Sequence, residues 1–520
     1  MKHLAHQKIL VLGLGASGLA LARWCVRCGA DVTVADTRAA PPQLQALQAD
    51  VPAARFVNAA LDEALLGADS FDRVLKSPGL SPAAVAGVLA TAQARGMACG
   101  NELSLFAQAL AELKEERGYA PQVIAITGTN GKTTVTSLTG QLVQRAGKSV
   151  AVAGNIGPTL LDTLAEKLDA QTLPEVWVLE LSSFQLDQVR NFEPTVATVL
   201  NVTQDHLDWH ETLPAYAAAK NHVYGSNAVM LLNRDDALVM AALPPLVKGK
   251  QLRTVLTFGA GEPQRPGDYG IETVNGMAWL VRAAEADETI KKRRPHASLP
   301  PEGAVSVLGR PGVASRNDEE VVLHIQRLMP LDALRIRGRH NATNGLAALG
   351  LASAAGCSLA PMLHGLREYR GEPHRVESIA VLNEVEYFDD SKGTNVGATV
   401  AALAGLGAER KLVVILGGDG KGQDFSPLAE PVARYARAVV LMGRDAPQIE
   451  SALDASRVPM SRAATLQEAV SLATGLAHAG DAVLMSPACA SFDMFDNYEH
   501  RAKVFCNAVQ ALAQEQGVVL

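Results

Sequence analysis

The segment Gly128-Thr129-Asn130-Gly131-Lys132-Thr133-Thr134 follows the apolar run Val123–Thr127 and leads into a helix-like stretch from Thr133. A glycine, a lysine and a hydroxyl residue in that order suit a phosphate-binding loop, with the lysine for β- and γ-phosphates and the hydroxyl for Mg²⁺. The usual first glycine of such a loop would fall at position 126, which is Ile126 here. The match is therefore either accidental or a variant loop in which Gly128 makes the tight turn. Glu180, at the end of the buried-looking run Val176–Leu181, is a carboxylate suited to Mg²⁺. Asp205-His206-x-Asp208 follows the run Val196–Asn201, and Lys220 follows in an expected helix. Taken singly, these last residues would be ordinary surface.

A second glycine loop, Gly13-x-Gly15-x-x-Gly18, stands between the strand-like Lys8–Leu12 and a helical stretch reaching about Cys28. Glycine permits positive φ and lets backbone N–H groups approach a diphosphate at a helix N-terminus. Asp36 closes the next strand at the distance where a ribose-binding acid is expected. By itself the loop indicates a diphosphate-containing ligand and leaves its identity open.

These residues sit at the ends of short apolar runs separated by helix-length segments, the pattern of doubly wound parallel sheets, whose ligands lie outside the carboxyl ends of the strands. Further runs of this kind are Glu384–Phe388, Leu412–Leu416, Ala438–Met442 and Ala482–Met485. A chain of 520 residues exceeds one hydrophobic core and suggests about three to four domains. The boundaries are expected near 105 and 371, the second at Gly371-Glu372-Pro373, giving domains 1–105, 106–371 and 372–520. Residues 283–320 carry Lys291-Lys292-Arg293-Arg294 and scattered proline, glycine and serine without periodicity, and read as a flexible surface insertion in preference to a nucleic-acid or nuclear-localisation patch.

Composition narrows the function classes. The chain is 48% apolar, and its 47 basic and 54 acidic residues leave a net charge of −7, which argues against a nucleic-acid partner. No run is long enough for a membrane span. The N-terminal run imitates a signal peptide, but Gly13, Gly15 and Gly18 interrupt it and a second strand follows, so a cytoplasmic protein is expected. Six sparse cysteines form no disulfide framework, and Cys25-x-x-Cys28 lacks the second pair a zinc site needs.

In combination, Gly128–Thr134, Gly154-Asn155-Ile156-Gly157, Glu180-Leu181-Ser182-Ser183-Phe184-Gln185, Asp205–Asp208 and Ala218-Ala219-Lys220 resemble the central domain of the Mur ligases. These are ATP-dependent amino-acid ligases of peptidoglycan precursor synthesis. The last third is similar too, in His340-Asn341 with Asn344, His374-Arg375, Asp390–Asn395, Gly417–Lys421 and Ser486–Ser491. Asp36-Thr37-Arg38 and Ser77-Pro78-Gly79 extend the resemblance to the front. It covers nearly the whole chain except roughly 260–330.

The resemblance implies an α/β protein of three domains: a Rossmann-like N-terminal domain, a central P-loop ATPase-like domain and a Rossmann-like C-terminal domain. It implies transfer of the ATP γ-phosphate to the L-alanine carboxylate of UDP-N-acetylmuramoyl-L-alanine, then attack by D-glutamate on the acyl phosphate. By similarity, Gly128, Thr129, Asn130, Gly131, Lys132, Thr133 and Thr134 hold the ATP phosphates, and Asn344, Arg375 and Asp390 complete the ATP site from across a domain junction. Thr133 and Glu180 bind one Mg²⁺ and His206 a second, with Lys220 carbamylated as a further oxygen ligand. Lys132, His206, Lys220 and Lys392 are the implied catalytic residues. Ser17, Asp36, Thr37, Arg38, Ser77, Asn155 and His206 match the UDP-substrate site, and Thr394, Lys421, Ser491, Phe492 and Tyr498 the D-glutamate pocket. Phe492 and Tyr498 stand where relatives commonly have leucine and phenylalanine. A monomer is expected.

Other readings compete. A nicotinamide-dependent dehydrogenase would use the first glycine loop and leave the second unexplained. A nucleotide switch without turnover would need no Asp390–Asn395 or Ser486–Ser491. A sister ligase adding another amino acid would share all the ATP chemistry.

Overall fold

The short runs rich in Val, Ile and Leu form strands buried on both faces, and the intervening segments form the helices that cover them. A computed structural model of the chain describes residues 4–67, 71–187, 189, 191–285, 323–408 and 410–517. Its first sheet contains β1 (Lys8–Leu12), β2 (Asp31–Asp36), β3 (Arg55–Asn58), β4 (Arg73–Lys76) and β5 (Ala98–Gly100), all parallel, in the order β3-β2-β1-β4-β5. Leu12 lies opposite Ala35 on one side and Lys76 on the other. That register brings Gly13, Asp36 and Ser77 to one carboxyl edge.

The second sheet contains β6 (Gln122–Thr127), β7 (Val150–Gly154), β8 (Val176–Glu180), β9 (Val196–Val199), β10 (Val229–Asn233) and β11 (Val255–Phe258). Its order is β11-β10-β9-β6-β8-β7, again parallel. Ile126 lies opposite Glu180 and Thr198, so the loop after β6 opens between the ends of β8 and β9. A small antiparallel sheet follows from β12 (Tyr269–Val274), β13 (Met277–Glu285) and β14 (Leu323–Pro330). Of the expected insertion 283–320, residues 283–285 finish β13, and 286–320 lie outside the described residues together with the Lys291–Arg294 run.

The last sheet contains β15 (Glu377–Leu382), β16 (Val385–Asp389), β17 (Leu412–Gly417), β18 (Ala436–Met442), β19 (Met460–Arg462) and β20 (Ala482–Met485), in the order β15-β16-β20-β17-β18-β19. Only β15 is antiparallel, joined to β16 by a hairpin in which Asn383 and Glu384 both have positive φ. The sequence pattern starts this region one strand late, because that turn carries no glycine.

Helix Glu102–Arg117 joins the first two sheets, and Phe106 on it meets Trp177 of β8 edge-on at 5.2 Å. Residue 105 therefore lies inside this helix. Residue 371 falls in the connection between helix Leu359–Glu368 and β15, with Gly371 at φ +94°. Cys25 and Cys28 are buried in the core of the first domain as free thiols, and burial raises them to about 12 and about 11. No helix among the described residues is long and apolar enough to cross a membrane.

Candidate active site

At the carboxyl edge of the first sheet, Gly13 adopts φ +84°, and a Cβ on Gly18 would lie 2.0 Å from the Gly13 carbonyl oxygen. Both positions thus require glycine, the first by conformation and the second by close approach. Asp36, 3% exposed, accepts the Leu14 N–H at 2.8 Å and receives the Arg38 guanidinium through Nε at 2.9 Å and a terminal nitrogen at 2.8 Å. Asp36 thereby braces the glycine loop from below. Ser17 lies in the first turn of helix Ala16–Arg27, Thr37 is exposed, and Ser77 is buried beside Gly13.

Arg38 beside Asp36 holds its carboxyl down at about 2. A folded value below the unfolded one stabilises the protein above the usual carboxylate range, and that stability disappears as pH falls through about 2. Asp36→Asn is expected to cost about 1–2 kcal/mol near neutral pH. Urea denaturation should show a constant gap to wild type from about pH 7 to about 4, narrowing below that.

At the edge of the second sheet, Gly128 has φ +154°, and a Cβ there would meet the Leu200 Cβ at 2.9 Å. Gly128 therefore takes the turn in a loop that lacks a glycine at 126. Thr129 N–H donates to the Asn201 carbonyl at 2.9 Å and Asn130 N–H to Asn201 Oδ1 at 2.8 Å, fixing the loop on the end of β9. Lys132 Nζ donates to the carbonyls of Gly128 and Thr129, both at 2.9 Å, and burial lowers its pKa. Thr133 and Thr134 begin the buried part of helix Lys132–Arg145.

Around this loop stand three groups of the same domain: Glu180 at the end of β8, Lys220 on helix Leu213–Asn221, and His206 on the loop between them. Glu180 is 1% exposed; its Oε1 accepts from Asn155 Nδ2 at 2.7 Å, and its Oε2 is buried without a partner. Lys220, equally buried, donates from Nζ to the Gly128 carbonyl at 2.9 Å and lies 4.3 Å from the Tyr216 ring centre. Burial drives the Lys220 pKa well below its usual value, the charge of Lys132 adds to this, and Asp205 opposes it. His206 sits at φ +53°, with Nε2 3.6 Å from Asp205 and its ring 4.8 Å from that of Phe184. Burial lowers the His206 pKa, Asp205 raises it, and Lys421, Lys132 and Lys220 lower it further.

The third domain closes the site. The side chains of Asn130 and Asn395 exchange amide hydrogen bonds at 3.2 and 3.0 Å. Arg375 donates to Thr133 Oγ1 at 2.9 Å, while its Nε is buried and unpartnered. A cavity of about 220 Å³ lies at this junction, its wall including Gly131, Thr134, Asn344, Arg375 and Asp390. Asp390 accepts the Ser486 hydroxyl at 2.6 Å, and burial raises its pKa to about 7. Lys392 lies 5.3 Å from the Tyr498 ring centre, and burial and Arg375 lower its pKa.

The family comparisons match this division. The Mur ligase MurD-like N-terminal domain matches residues 7–100, the Mur ligase middle domain 126–281, and the Mur ligase glutamate ligase domain 374–489. A relative from Polaromonas sp., named UDP-N-acetylmuramoylalanine–D-glutamate ligase, is 60% identical over the full length of both chains. One of the same name from Albidiferax ferrireducens is 63% identical over 99% of this chain and 98% of its own. The chain is a Mur ligase. Solved structures agree on the fold: MurF from Acinetobacter baumannii at TM-score 0.54 and 17% identity, covering 97% of this chain and 92% of its own. MurF from Thermotoga maritima in complex with ADP also has TM-score 0.54, at 14% identity, covering 99% of this chain and 97% of its own.

In this Mur ligase the fold gathers the loop Gly128–Thr134 with Asn155, Glu180, His206, Lys220, Arg375 and Lys392 at the meeting of two sheet edges. Ser17, Asp36, Thr37, Arg38 and Ser77 form a separate patch on the first domain. Thr394 and Ser491 lie on the loops after β16 and β20, and Lys421, at φ +52°, on the loop after β17. Phe492 is 71% exposed.

Three residues of this Mur ligase went unassigned in the sequence. Asp205 faces Lys132, Lys220 and His206, and its place beside the histidine was an available signal. Asn395 pairs with Asn130 of the loop Gly128–Thr134 and ends the Asp390–Asn395 segment already singled out. Arg501 had no signal. It is buried, and donates to the carbonyls of Ser391 at 2.8 Å and Cys489 at 3.1 Å.

Proposed function

We propose that this Mur ligase joins D-glutamate to UDP-N-acetylmuramoyl-L-alanine at the expense of ATP, giving ADP and phosphate in peptidoglycan precursor synthesis, and that it works in the cytoplasm as a monomer. The observation that carries the reading is one phosphate loop walled by Glu180, His206 and Lys220 on its own domain and by Arg375 and Lys392 from the next. The full-length relatives supply the amino acid and the sugar.

A carboxylate acylates amines poorly, and phosphorylation converts one of its oxygens into a good leaving group. The reactants are anions that repel one another, so the site must collect fixed positive charge despite the acidic chain. Lys132 and the loop N–H groups hold the phosphates, and Lys392 lies where it can neutralise the transferred one. Asn344, Arg375 and Asp390 line the nucleotide cavity, and the N-terminal patch takes the UDP end. Asn155 and His206 face the acceptor carboxylate, while Thr394, Lys421, Ser491, Phe492 and Tyr498 receive D-glutamate.

Glu180 Oε2, buried and unpartnered beside the phosphate loop, fits a divalent cation. Thr133 and Glu180 would hold one Mg²⁺, and His206 with a carbamylated Lys220 the other. The ions supply charge neutralisation of phosphate and carboxylate oxygens. Substrate labelled with ¹⁸O in the alanyl carboxylate tests the acyl-phosphate route. One labelled oxygen should appear in the released phosphate, and unlabelled phosphate would refute the route.

Arg501 acts on this pocket by tying the loop carrying Lys392 to the loop carrying Ser491. Arg501→Met is expected to raise KM for D-glutamate about tenfold with smaller changes for ATP. Steady-state kinetics with each substrate varied in turn checks this.

A further inference from the structure

The UDP-sugar acceptor is long, and its two ends belong to different domains: the nucleotide to the glycine loop after β1, the acyl carboxylate to the Asn155 and His206 side. The register between those domains therefore sets whether both ends can bind at once. At the seam stands a carboxylate with no part in the chemistry. Glu102, the first residue of helix Glu102–Arg117, is 1% exposed. Its Oε1 accepts the Leu161 N–H at 3.1 Å; burial raises its pKa to about 7, while the Leu161 and Leu160 N–H groups and the Ser17 hydroxyl favour the charged form. Its Oε2 has no hydrogen-bond partner.

The partners give this carboxylate its meaning. Leu160 and Leu161 open helix Leu160–Asp169, directly after the loop that carries Asn155, and Asn155 is itself bonded to Glu180. Ser17 lies in the first turn of helix Ala16–Arg27, directly after the glycine loop. The same two helices are joined farther out by Arg23–Asp162 at 3.1 Å and Arg27–Asp169 at 2.6 Å. Those outer pairs are half-exposed and contribute little apiece. Glu102 is the buried member of the set. Asn101, one residue earlier, caps its helix and donates to the Gln185 carbonyl at 2.9 Å, so the backbone under Glu102 is also anchored to the central domain.

We propose that Glu102 is a positioning residue for the UDP-sugar, holding the glycine loop of the first domain in register with the Asn155 loop of the second. This rests on the ligase reading above. Truncation to alanine removes the acceptor at the seam and leaves the Leu161 N–H buried, so the two loops can shift relative to each other. The ATP and D-glutamate sites, built from the second and third domains, keep their geometry.

Wild-type turnover dependent on the UDP-sugar and D-glutamate is scored first, so that its failure counts against the ligase reading and not against Glu102. Glu102→Ala is then expected to raise KM for UDP-N-acetylmuramoyl-L-alanine about tenfold, with KM for ATP and D-glutamate within about twofold. Glu102→Gln, which keeps the acceptor oxygen and the reach, is expected to rescue KM to within about threefold. Glu102→Asp, one methylene shorter, should show the acceptor-specific defect and serves if the alanine variant does not fold. A lowered melting temperature with all three KM values unchanged, or a rise shared equally by the three substrates, would overturn the proposal.

Discussion

Lys220→Ala is expected to lower kcat roughly 10²–10³-fold, and added formate or acetate to restore part of the loss. The reasons lie in the position of the ammonium. Lys220 Nζ is buried against the Gly128 carbonyl and the Tyr216 ring, with Lys132 as a second cation nearby. Burial and that like charge both favour the neutral amine. A neutral amine adds to CO₂, forming one N–C bond and releasing one proton, and the product is an anionic carbamate. On Lys220 that modification would put an anionic oxygen ligand in place of an amine, as the proposed function requires. Small carboxylates can occupy the space left by alanine, which is why rescue is expected. A carbamate signal in ¹³C NMR of wild type with labelled bicarbonate checks the chemistry. No rescue and no signal would return Lys220 to a simple structural cation.

Glu180→Gln is expected to reduce kcat by a comparable factor, roughly 10²–10³, and to raise the Mg²⁺ concentration needed for half-maximal rate. The substitution preserves shape. A glutamine can still accept from Asn155 with its oxygen, and its NH₂ then falls where Glu180 Oε2 has no partner. The change therefore exchanges an unpaired acceptor for a donor at the point suited to a cation, with little effect on packing. Melting temperature should hardly move. Mg²⁺ titrations of rate for the two proteins separate this outcome from a general loss of fold.

Much of the fold was legible because buried parallel strands read as short apolar runs, and because the polar residues that end them mark the ligand edge. The strands at Lys8–Leu12 and Ala482–Met485 have the bounds their sequence suggests. Local patterning could not reveal the hairpin at Asn383-Glu384, where two non-glycine residues adopt positive φ in a turn usually marked by glycine. The tight turn after β6 was legible through its glycines, even with Ile126 at an unusual position, since Gly128 supplies the turn. Glu102 and Arg501 were not. Each is one charged residue among several on its helix, and only tertiary packing shows that it is buried and what it holds. The residues proposed to touch substrate come in motifs, whereas Glu102 and Arg501, which brace those motifs, are scattered.

The ligase reading is tested most directly by phosphate release from ATP and Mg²⁺ on UDP-N-acetylmuramoyl-L-alanine with different amino acids. D-glutamate is compared with L-glutamate, L-alanine, L-lysine and diaminopimelate, and the product is weighed. Release that requires D-glutamate, with a product heavier by one glutamyl residue, is the predicted result. Turnover with a different amino acid would keep the ATP chemistry and reassign the pocket, and ATP binding without turnover on any of them would contradict the ligase reading itself.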